Sequence, residues 1–223
     1  MSQQALFDNA QPAIGDLEAW CRRQGYRTIV GVDEAGRGPL AGPVHAAAVA
    51  VDLTDLDAPW LERLDDSKKL EQLEREEAFE LICAEAPVYE IADSDHAVID
   101  EINILEATRR AMERAVAKVC EKLDAAPDCV FVDGNAPIVI DQTQRTVVKG
   151  DARSLAIAAA SILAKVSRDE VMVGHHERWP EYNFASNKGY PTGEHREAIA
   201  THGPCRIHRL TFGGVREHVI PDE

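Results

Sequence analysis

The sequence predicts an α/β fold with a mixed sheet, and two observations support this prediction. Two apolar runs, 27–33 and 44–53, are joined by a connection rich in glycine and proline that is too short for a crossover helix. These two strands are therefore expected to be antiparallel. Further along the chain, apolar strands alternate with helical patterns, which indicates parallel pairing. With 223 residues, 45% of them apolar, the chain can bury one sizeable core.

The first half of the chain is predicted to contain two helices in addition to these strands, and a third strand. Residues 16–23 read as a short helix, and 71–84 form an acidic helical segment after a polar loop. The run 88–92 (VYEIA) has the composition of a strand.

The second half supplies the parallel part of the predicted sheet. Apolar residues recur at helical spacing from 102 to 123, which predicts a long amphipathic helix. The short apolar runs 129–132 and 146–148 are predicted strands. A helix rich in small residues follows at 152–166 and is suited to packing closely against a sheet.

Composition excludes several classes of protein. The five cysteines include no CxxC pair, which argues against a disulfide framework and a structural zinc and predicts free, mostly buried thiols. No apolar run approaches the roughly 20 residues that span a bilayer, and the N-terminus lacks the basic and apolar regions of a signal peptide. We therefore expect a cytoplasmic protein without a membrane segment.

The net charge of −15 is unevenly distributed. Residues 1–148 hold 14 Lys and Arg against 29 Asp and Glu, whereas residues 149–223 hold 10 of each. The acidic excess is typical of a solvated, soluble surface. The last third can still present a locally basic face, so a nucleic-acid partner is not excluded.

Acidic residues follow three of the predicted strands. Asp33 and Glu34 end the first, Asp133 ends the run at 129–132, and Asp151 comes shortly after 146–148. In a sheet with parallel central strands these positions lie at one edge, where open sheets place their sites. Four converging carboxylates would repel one another unless cations were bound, and an all-oxygen ligand set suits Mg²⁺ or Mn²⁺.

Each acid also has an ordinary structural explanation. Asp133 precedes a glycine as in many turns, Asp151 is suited to cap the following helix, and Asp33 and Glu34 can be simple strand-end charges. The residue pattern by itself leaves these alternatives open.

A dinucleotide-binding loop is a further alternative, because Gly36, Gly38 and Ala41 match GxGxxA. Three features oppose it: the adjacent acids would repel a pyrophosphate, Pro39 and Pro43 would disrupt the required helix, and the next segment has the pattern of a strand.

Seven motifs, in this order along the chain, resemble those of bacterial ribonuclease HII: GVDEAGRGPLAGPV, DDSKKL, INILEATRRAM, VDGN, VVKGDARS, AASILAKVSRD and NKGYPT. The resemblance covers about residues 28–215. It implies a ribonuclease H-like fold, a mixed five-stranded sheet flanked by helices with a small helical C-terminal part. The expected organisation is an N-terminal extension with a short helix at 1–27 and a catalytic domain at 28–223, whose helical part begins at about 175.

The resemblance also implies an activity and its cofactors. The expected reaction is endonucleolytic cleavage of RNA joined to or embedded in DNA duplexes, including a single ribonucleotide, leaving a 3′-hydroxyl and a 5′-phosphate. Asp33, Glu34, Asp133 and Asp151 match the acids that hold two Mg²⁺ or Mn²⁺ ions, and Asp33 is expected to be shared between both ions.

Substrate contacts are implied for a second group of residues. Gly36, Arg37 and Gly38 match a loop that recognises the ribose 2′-hydroxyl, and Tyr190 matches a tyrosine that packs on the neighbouring sugar. The simpler alternative for Tyr190 is a half-buried core tyrosine. Five basic residues are candidates for phosphate contacts, with a solvated surface charge as the alternative for each: Lys68, Lys149, Lys165, Arg168 and Lys188.

Two regions depart from the family pattern or extend beyond it. IHRLTF stands where HRRSF is more familiar, and Asn187 precedes Lys188 where histidine is common, so the C-terminal nucleic-acid contacts are in doubt. Near the N-terminus, Gln3, Leu6 and Phe7 fit the QxxLF pattern of proteins that dock on the sliding clamp. An unremarkable terminus is the alternative, and the protein is expected to be a monomer.

Two competing functions remain at this stage. One is a non-catalytic nucleic-acid-binding relative that keeps the fold, which the presence of all four acids disfavours. The other is a different nuclease of the same superfamily, such as a resolvase, which would have no reason to keep the glycine–arginine–glycine loop or the distant tyrosine.

Overall fold

The computed structural model describes residues 13–64 and 71–219 of the chain. Its centre is a five-stranded sheet. The strands in chain order are β1 (Thr28–Ala35), β2 (Val44–Asp52), β3 (Tyr89–Ser94), β4 (Cys129–Asp133) and β5 (Gln144–Val147).

Helices of very different length surround the sheet. Those of the described residues are α1 (Asp16–Arg23), α2 (Pro59–Glu62), α3 (Gln72–Glu85), α4 (His96–Ile102), α5 (Ile104–Lys122), α6 (Leu155–His176), α7 (Phe184–Asn187) and α8 (Gly193–His202). Short 3₁₀ turns occupy Gly150–Ala152, Pro180–Tyr182 and Arg216–His218.

The sheet is mixed, as the sequence predicts. Its order is β3-β2-β1-β4-β5. β1 pairs antiparallel with β2 along its whole length, and β2 pairs antiparallel with β3. β4 lies parallel to both β1 and β5. The short, glycine-rich link after β1 therefore makes the antiparallel pair, and the longer connections make the parallel ones.

The two faces of the sheet bury two separate cores. Along β1 and β2 alternate side chains point to opposite faces, as the two-residue period of a strand requires. Ile29 and Val49 belong to a cluster that includes many residues of α6. Val30 and Ala48 belong to a cluster with the apolar stripe of α5. The sheet is thus a middle layer between two helical layers.

α6 lies unusually close to β1. A Cβ atom built on Gly31 would lie 2.2 Å from the main-chain carbonyl carbon of Ala156 and 2.4 Å from the nitrogen of Ile157. The helix is rich in alanine on its buried side, so its backbone can approach the strand wherever the strand has no side chain. This contact fixes the start of α6 against the strand that carries Asp33 and Glu34.

Helix boundaries differ from expectation at Asn103 and at both ends of α6, which continues to His176 and not only to Val166. The helix predicted from 102 to 123 is interrupted at Asn103, whose φ of 69° ends α4 and whose side chain accepts hydrogen bonds from Leu105 and Glu106 to start α5. The helix predicted to start at Ala152 begins three residues later. Ser154 is its N-cap, accepting a hydrogen bond from the Ile157 N–H, so Asp151 does not have that role.

The C-terminal helices pack on the loop between β1 and β2. Leu40 and Ala41 of this loop share a buried cluster with Tyr182, Phe184 and Ile199. An isolated antiparallel bridge joins Ala41 to His208. The last third of the chain therefore contacts the segment that carries the glycine–arginine–glycine motif.

Two compositional expectations can be compared with the fold. All five cysteines are free thiols, as expected, but only Cys21 and Cys129 are buried, whereas Cys83, Cys120 and Cys205 are partly exposed. Among the described residues no helix has the length and apolar character needed to cross a membrane.

Gly31→Ala is predicted to destabilise the protein, because the added methyl group would meet helix backbone that no rotamer change can move aside. We expect a loss of about 1–3 kcal/mol in the free energy of unfolding, measured by urea denaturation.

Gly174→Ala is the matched control on α6. A Cβ at Gly174 meets no atom within 4 Å, so this change should stabilise the helix by roughly 0.5–1 kcal/mol. Equal effects at the two glycines would show that the approach of α6 to β1 is not tight.

Candidate active site

The strand register brings two of the predicted acids together. The parallel pairing of β1 and β4 ends with Val32 opposite Val132. Asp33 and Asp133 are the next residues on each strand, so they lie side by side where this pairing ends, while Asp33 still pairs with Ala47 of β2 and Asp133 with Val147 of β5. The sequence predicted that the acids would lie at one edge of the sheet. The observed pairing adds the register, which sets Asp33 beside Asp133.

Asp33 is buried, with 5% exposure. One of its oxygens, Oδ1, accepts a hydrogen bond of 2.7 Å from the Glu34 N–H, and the side chain of Ser161 on α6 also hydrogen-bonds to it. Burial raises the pKa of Asp33 well above its usual range, and the nearby Asp133 and Glu34 raise it further. Burial and neighbouring carboxylates therefore both disfavour the ionised form of Asp33.

Glu34 differs from Asp33 in having a cationic neighbour. Its Oε1 lies 3.2 Å from Nη1 of Arg37. Burial raises the pKa of Glu34, and Asp133 adds to this, whereas Arg37 acts in the opposite direction. Arg37 is half exposed, so the ion pair is screened by solvent.

Asp133 and Asp151 are connected through a tight turn. The N–H of Gly150 donates a 2.6 Å hydrogen bond to Oδ1 of Asp133. Asp151 is the next residue, lies in the 3₁₀ turn Gly150–Ala152 and is 2% exposed. The turn follows β5, whose pairing ends with Asp133 opposite Val147. The fourth acid is thus carried by a turn that contacts the third.

A buried glutamate from the N-terminal helix supports this turn. Glu18 is fully buried, and its Oε1 accepts a 2.5 Å hydrogen bond from Oγ of Ser154 and a 3.3 Å bond from the Ala156 N–H. Burial raises the pKa of Glu18. α1 is therefore attached to the segment that leads from Asp151 into α6.

A cleft of about 370 Å³ opens beside Glu34. It is lined by residues from β1, the following loop, α3, α6 and the C-terminal third: Glu34, Ala35, Gly36, Arg37, Gly38, Arg75, Ser161, Lys165 and Tyr190. Six of these were candidates from the sequence. A Cβ on Gly38 would lie 3.7 Å from Cε1 of Tyr190, so the loop and the ring face each other at contact distance.

Arg75 and Ser161 line the cleft but were not singled out from the sequence. Ser161 was detectable as the one hydroxyl residue within the small, apolar run AIAAASILA. Arg75 lies in a helix crowded with charges, where nothing in the pattern distinguishes it from a surface arginine.

The five basic candidates for phosphate contacts occupy different environments. Lys165 lines the cleft, with its Nζ 2.7 Å from Asp169 and 5.8 Å from the Tyr190 ring centre. Lys149 is exposed directly before Gly150, and Nζ of Lys188 hydrogen-bonds to the Ala185 carbonyl. Lys68 lies outside the described residues.

Arg168 requires a correction to its expected role. It is 1% exposed, and its guanidinium donates to the carbonyls of Ala41 and Pro43. A side chain enclosed in this way cannot reach a phosphate of a bound duplex. The sequence pattern could not reveal this, because burial of an arginine depends on the tertiary packing around it.

The carboxylates fit a hard divalent cation that keeps other oxygen ligands. Within 13–64 and 71–219 no group of three or more His, Cys, Asp or Glu side chains is arranged to hold a metal ion alone. Oδ1 of Asp33 and Oδ1 of Asp133 are turned toward main-chain N–H groups. Mg²⁺ is normally held by one or two carboxylates together with water and substrate phosphate oxygens, which is the set this edge can offer.

Comparison with known proteins shows the family of this chain. The family model described as Ribonuclease HII matches residues 30–215. A ribonuclease HII of Geobacter sulfurreducens is 50% identical over 216 residues, which cover 96% of this chain and 95% of that protein.

Solved structures show the same fold. The ribonuclease H2 of Pyrococcus horikoshii is 25% identical with a TM-score of 0.70, covering 85% of this chain and 96% of that one. The RNase HII of Archaeoglobus fulgidus, solved as a complex with PCNA, is 26% identical with a TM-score of 0.66, covering 83% and 95%. The ribonuclease H-like mixed sheet expected from the sequence is therefore confirmed.

Asp33→Asn is predicted to stabilise the protein when no divalent cation is present. The change removes a buried negative charge beside Asp133 and Glu34, and the amide oxygen can still accept the Glu34 N–H. In EDTA at pH 7.5 the melting temperature should rise by roughly 2–4 °C for each ~1 kcal/mol of repulsion removed.

The control is Asp55→Asn on the exposed loop after β2, which should leave the melting temperature unchanged. A melting temperature of Asp33→Asn at or below that of the unmodified protein would show that the acids do not repel one another in the fold.

Proposed function

The chain belongs to the ribonuclease HII family, and we propose that it hydrolyses the phosphodiester on the 5′ side of a ribonucleotide within duplex DNA. Family membership makes it a ribonuclease H, an endonuclease that acts on RNA/DNA hybrids. The proposal adds that a single embedded ribonucleotide is sufficient, that the products carry a 3′-hydroxyl and a 5′-phosphate, and that the role is removal of ribonucleotides from DNA.

One observation carries the proposal: Glu34, the acid that follows Asp33 on β1, lines the same cleft as the glycine loop. β1 ends in Asp33 and Glu34, and the chain then turns at once into Gly36, Arg37 and Gly38. A scissile phosphate held at the acids would therefore place the adjacent sugar against the loop.

We assign the cation-binding role to Asp33, Glu34, Asp133 and Asp151. Ribonucleases H use divalent metals, and we propose two ions, Mg²⁺ or Mn²⁺, at this edge. When bound, such ions lower the pKa of a coordinated water and stabilise the leaving oxygen of a phosphodiester. The raised pKa of Asp33 supports this assignment, because a bound cation would favour the ionised carboxylate that burial and the neighbouring acids disfavour.

The protein itself supplies recognition of the sugar. Gly36 and Gly38 have no Cβ, so their main chain can approach the minor groove and contact the 2′-hydroxyl, which distinguishes RNA from DNA. The Tyr190 ring forms the opposite wall and offers an apolar face to the neighbouring sugar. Lys165 is placed beside this ring to contact a phosphate.

Asp33→Asn should abolish cleavage of a duplex with one ribonucleotide while binding of that duplex stays within about three-fold. Loss of several kcal/mol of charge stabilisation corresponds to a fall in kcat of at least ~10³-fold. Cleavage is measured on end-labelled duplexes with Mg²⁺ and with Mn²⁺, and binding by fluorescence anisotropy in EDTA.

Asp55→Asn is the control with unchanged turnover, and an all-DNA duplex of the same sequence is the control substrate. EDTA should stop cleavage by the unmodified protein. Near-normal turnover of Asp33→Asn would refute the assigned role, and cleavage of the all-DNA duplex would refute the proposed specificity.

We also propose that the N-terminus docks on the sliding clamp through Gln3, Leu6 and Phe7, which lie outside the described residues. The related Archaeoglobus fulgidus RNase HII forms a complex with PCNA. Replacing Leu6 and Phe7 together with alanine should weaken binding to the bacterial clamp at least ~10-fold in surface plasmon resonance, with cleavage of free duplex unchanged. Unchanged clamp affinity would rule the docking out.

A further inference from the structure

Two buried arginines lie beneath the loop that joins β1 to β2. Arg168 on α6 is 1% exposed, and Arg209 in the C-terminal segment is 0% exposed. Buried guanidinium groups usually pair with carboxylates. Here the hydrogen bonds that both groups make within the described part of the chain go to main-chain carbonyls of the loop 36–43.

All the N–H groups of the Arg209 guanidinium donate hydrogen bonds to this loop. A guanidinium has five N–H groups in a fixed plane. Those of Arg209 donate at 2.6–3.2 Å to the carbonyls of Gly36, Arg37, Pro39, Gly42 and Pro43. Loss of Arg209 would remove its N–H donors from these buried carbonyls, and of the five only the Pro43 carbonyl also accepts a hydrogen bond from Arg168.

Arg168 supports the same loop from the side of α6. Its Nε donates 2.9 Å to the Pro43 carbonyl, and its Nη2 donates 3.2 Å to the Ala41 carbonyl. A Cβ on Gly36 would lie 2.0 Å from that Nε, and Gly36 has a φ of 97°, so only glycine fits above the guanidinium. The Arg168 guanidinium also lies 5.8 Å from the Tyr190 ring centre.

His208, the residue next to Arg209, is connected by hydrogen bonds through His195 to Tyr190, which lines the cleft. Nδ1 of His208 accepts a 2.9 Å hydrogen bond from the Cys205 N–H, which leaves its proton on Nε2. That proton is donated over 3.1 Å to Nε2 of His195, whose Nδ1–H in turn donates 2.9 Å to the Tyr190 carbonyl. Both rings are neutral in this chain of bonds, and burial lowers the pKa of His208 to about 4.

Main-chain bonds complete the frame around the cleft. The Leu40 N–H donates to the Gly189 carbonyl, and the Arg209 N–H donates to the Leu40 carbonyl, both at 2.8 Å. Farther along, Asp100 of α4 accepts hydrogen bonds from the N–H groups of Leu210 and Thr211. The dipeptide His208–Arg209 is thereby anchored on both sides.

We propose that Arg209 is a positioning residue that, with His208, sets the gap between the main chain at Gly38 and the ring of Tyr190. On this view the gap determines how strongly the enzyme distinguishes ribose from deoxyribose. The inference rests on the proposed function of the loop and tyrosine as the sugar site. Arg209 belongs to IHRLTF, the segment that departs from the family pattern and whose contacts with nucleic acid are therefore in doubt. The inference gives this segment a different role, because Arg209 acts through the loop and does not touch the duplex.

The cation-binding acids are held by other interactions. Asp33 and Glu34 lie within β1, which pairs with β2 up to Ala35 opposite His45. Loosening the loop beyond Ala35 should therefore change recognition of the sugar far more than the chemical step. This difference separates a positioning role from a general loss of structure.

Arg209→Lys is the test variant, because it keeps the charge and removes the planar fork. We measure Kd for a duplex with one ribonucleotide and for the all-DNA duplex in EDTA, and kcat and KM with Mn²⁺. The expected result is a KM roughly 10–100-fold higher and a ratio of the two Kd values at least ~10-fold smaller, with kcat within ~3-fold of the unmodified enzyme.

Arg206→Lys is the matched control, since Arg206 is exposed in the same segment, and it should change neither KM nor the Kd ratio. If the unmodified enzyme fails to distinguish the two duplexes, the proposed function is wrong and this inference falls with it. If the unmodified enzyme distinguishes them and Arg209→Lys does so equally well, only the positioning role is overturned. A fall in kcat with unchanged KM also overturns it.

If Arg209→Lys does not fold, the unmodified enzyme provides the test. The Nε–H of Arg209 should exchange slowly with solvent in ¹⁵N NMR spectra at pH 6.5, and the amides of Leu40 and Gly42, which donate to the Gly189 and Ile207 carbonyls, should be protected from hydrogen exchange as strongly as those of β1. Rapid exchange at Arg209 or at these two amides would overturn the positioning role.

Discussion

The parallel pairing of β1 with β4 is the constraint on which the site depends. It places Asp33 next to Asp133 at the end of two buried strands, where burial and mutual repulsion raise the pKa of Asp33 well above its usual range. The burial of two apolar layers on the faces of the sheet offsets the energetic cost of this concentration of charge. Under the proposed function a divalent cation would relieve this repulsion, so the arrangement that raises the pKa of Asp33 would also prepare the site to bind one.

One set of interactions holds the acids of the site, and another holds the loop beside them. The sheet and α6 fix the acids: α6 approaches β1 closely at Gly31, and its start is tied to α1 through Ser154 and Glu18. The recognition loop, by contrast, has its inward carbonyls paired with buried arginines and is held from the C-terminal third. The acids and the proposed recognition loop are therefore adjacent in space and held mainly by different residues, with α6 contributing to both, through its contact with β1 at Gly31 and through Arg168.

Much of the fold could be predicted from the sequence, because strand periodicity and the short link after β1 are local signals. The acids were found because each follows an apolar strand or lies in a family motif, although Asp151 proved to lie in a turn beyond β5 and not at its tip. The burial of Arg168 was missed, as was the break at Asn103. A guanidinium that satisfies main-chain carbonyls leaves no pattern in its own segment, since its partners lie more than a hundred residues away.

Anomalous diffraction from crystals soaked in MnCl₂, recorded at the manganese absorption edge, tests the central claim most directly. The account predicts a manganese peak at the carboxyl edge of β1 and β4, with oxygens of Asp33 and Asp133 at coordination distance. Manganese bound only at other acidic positions, with these two side chains still turned to the N–H groups of Glu34 and Gly150, would contradict it.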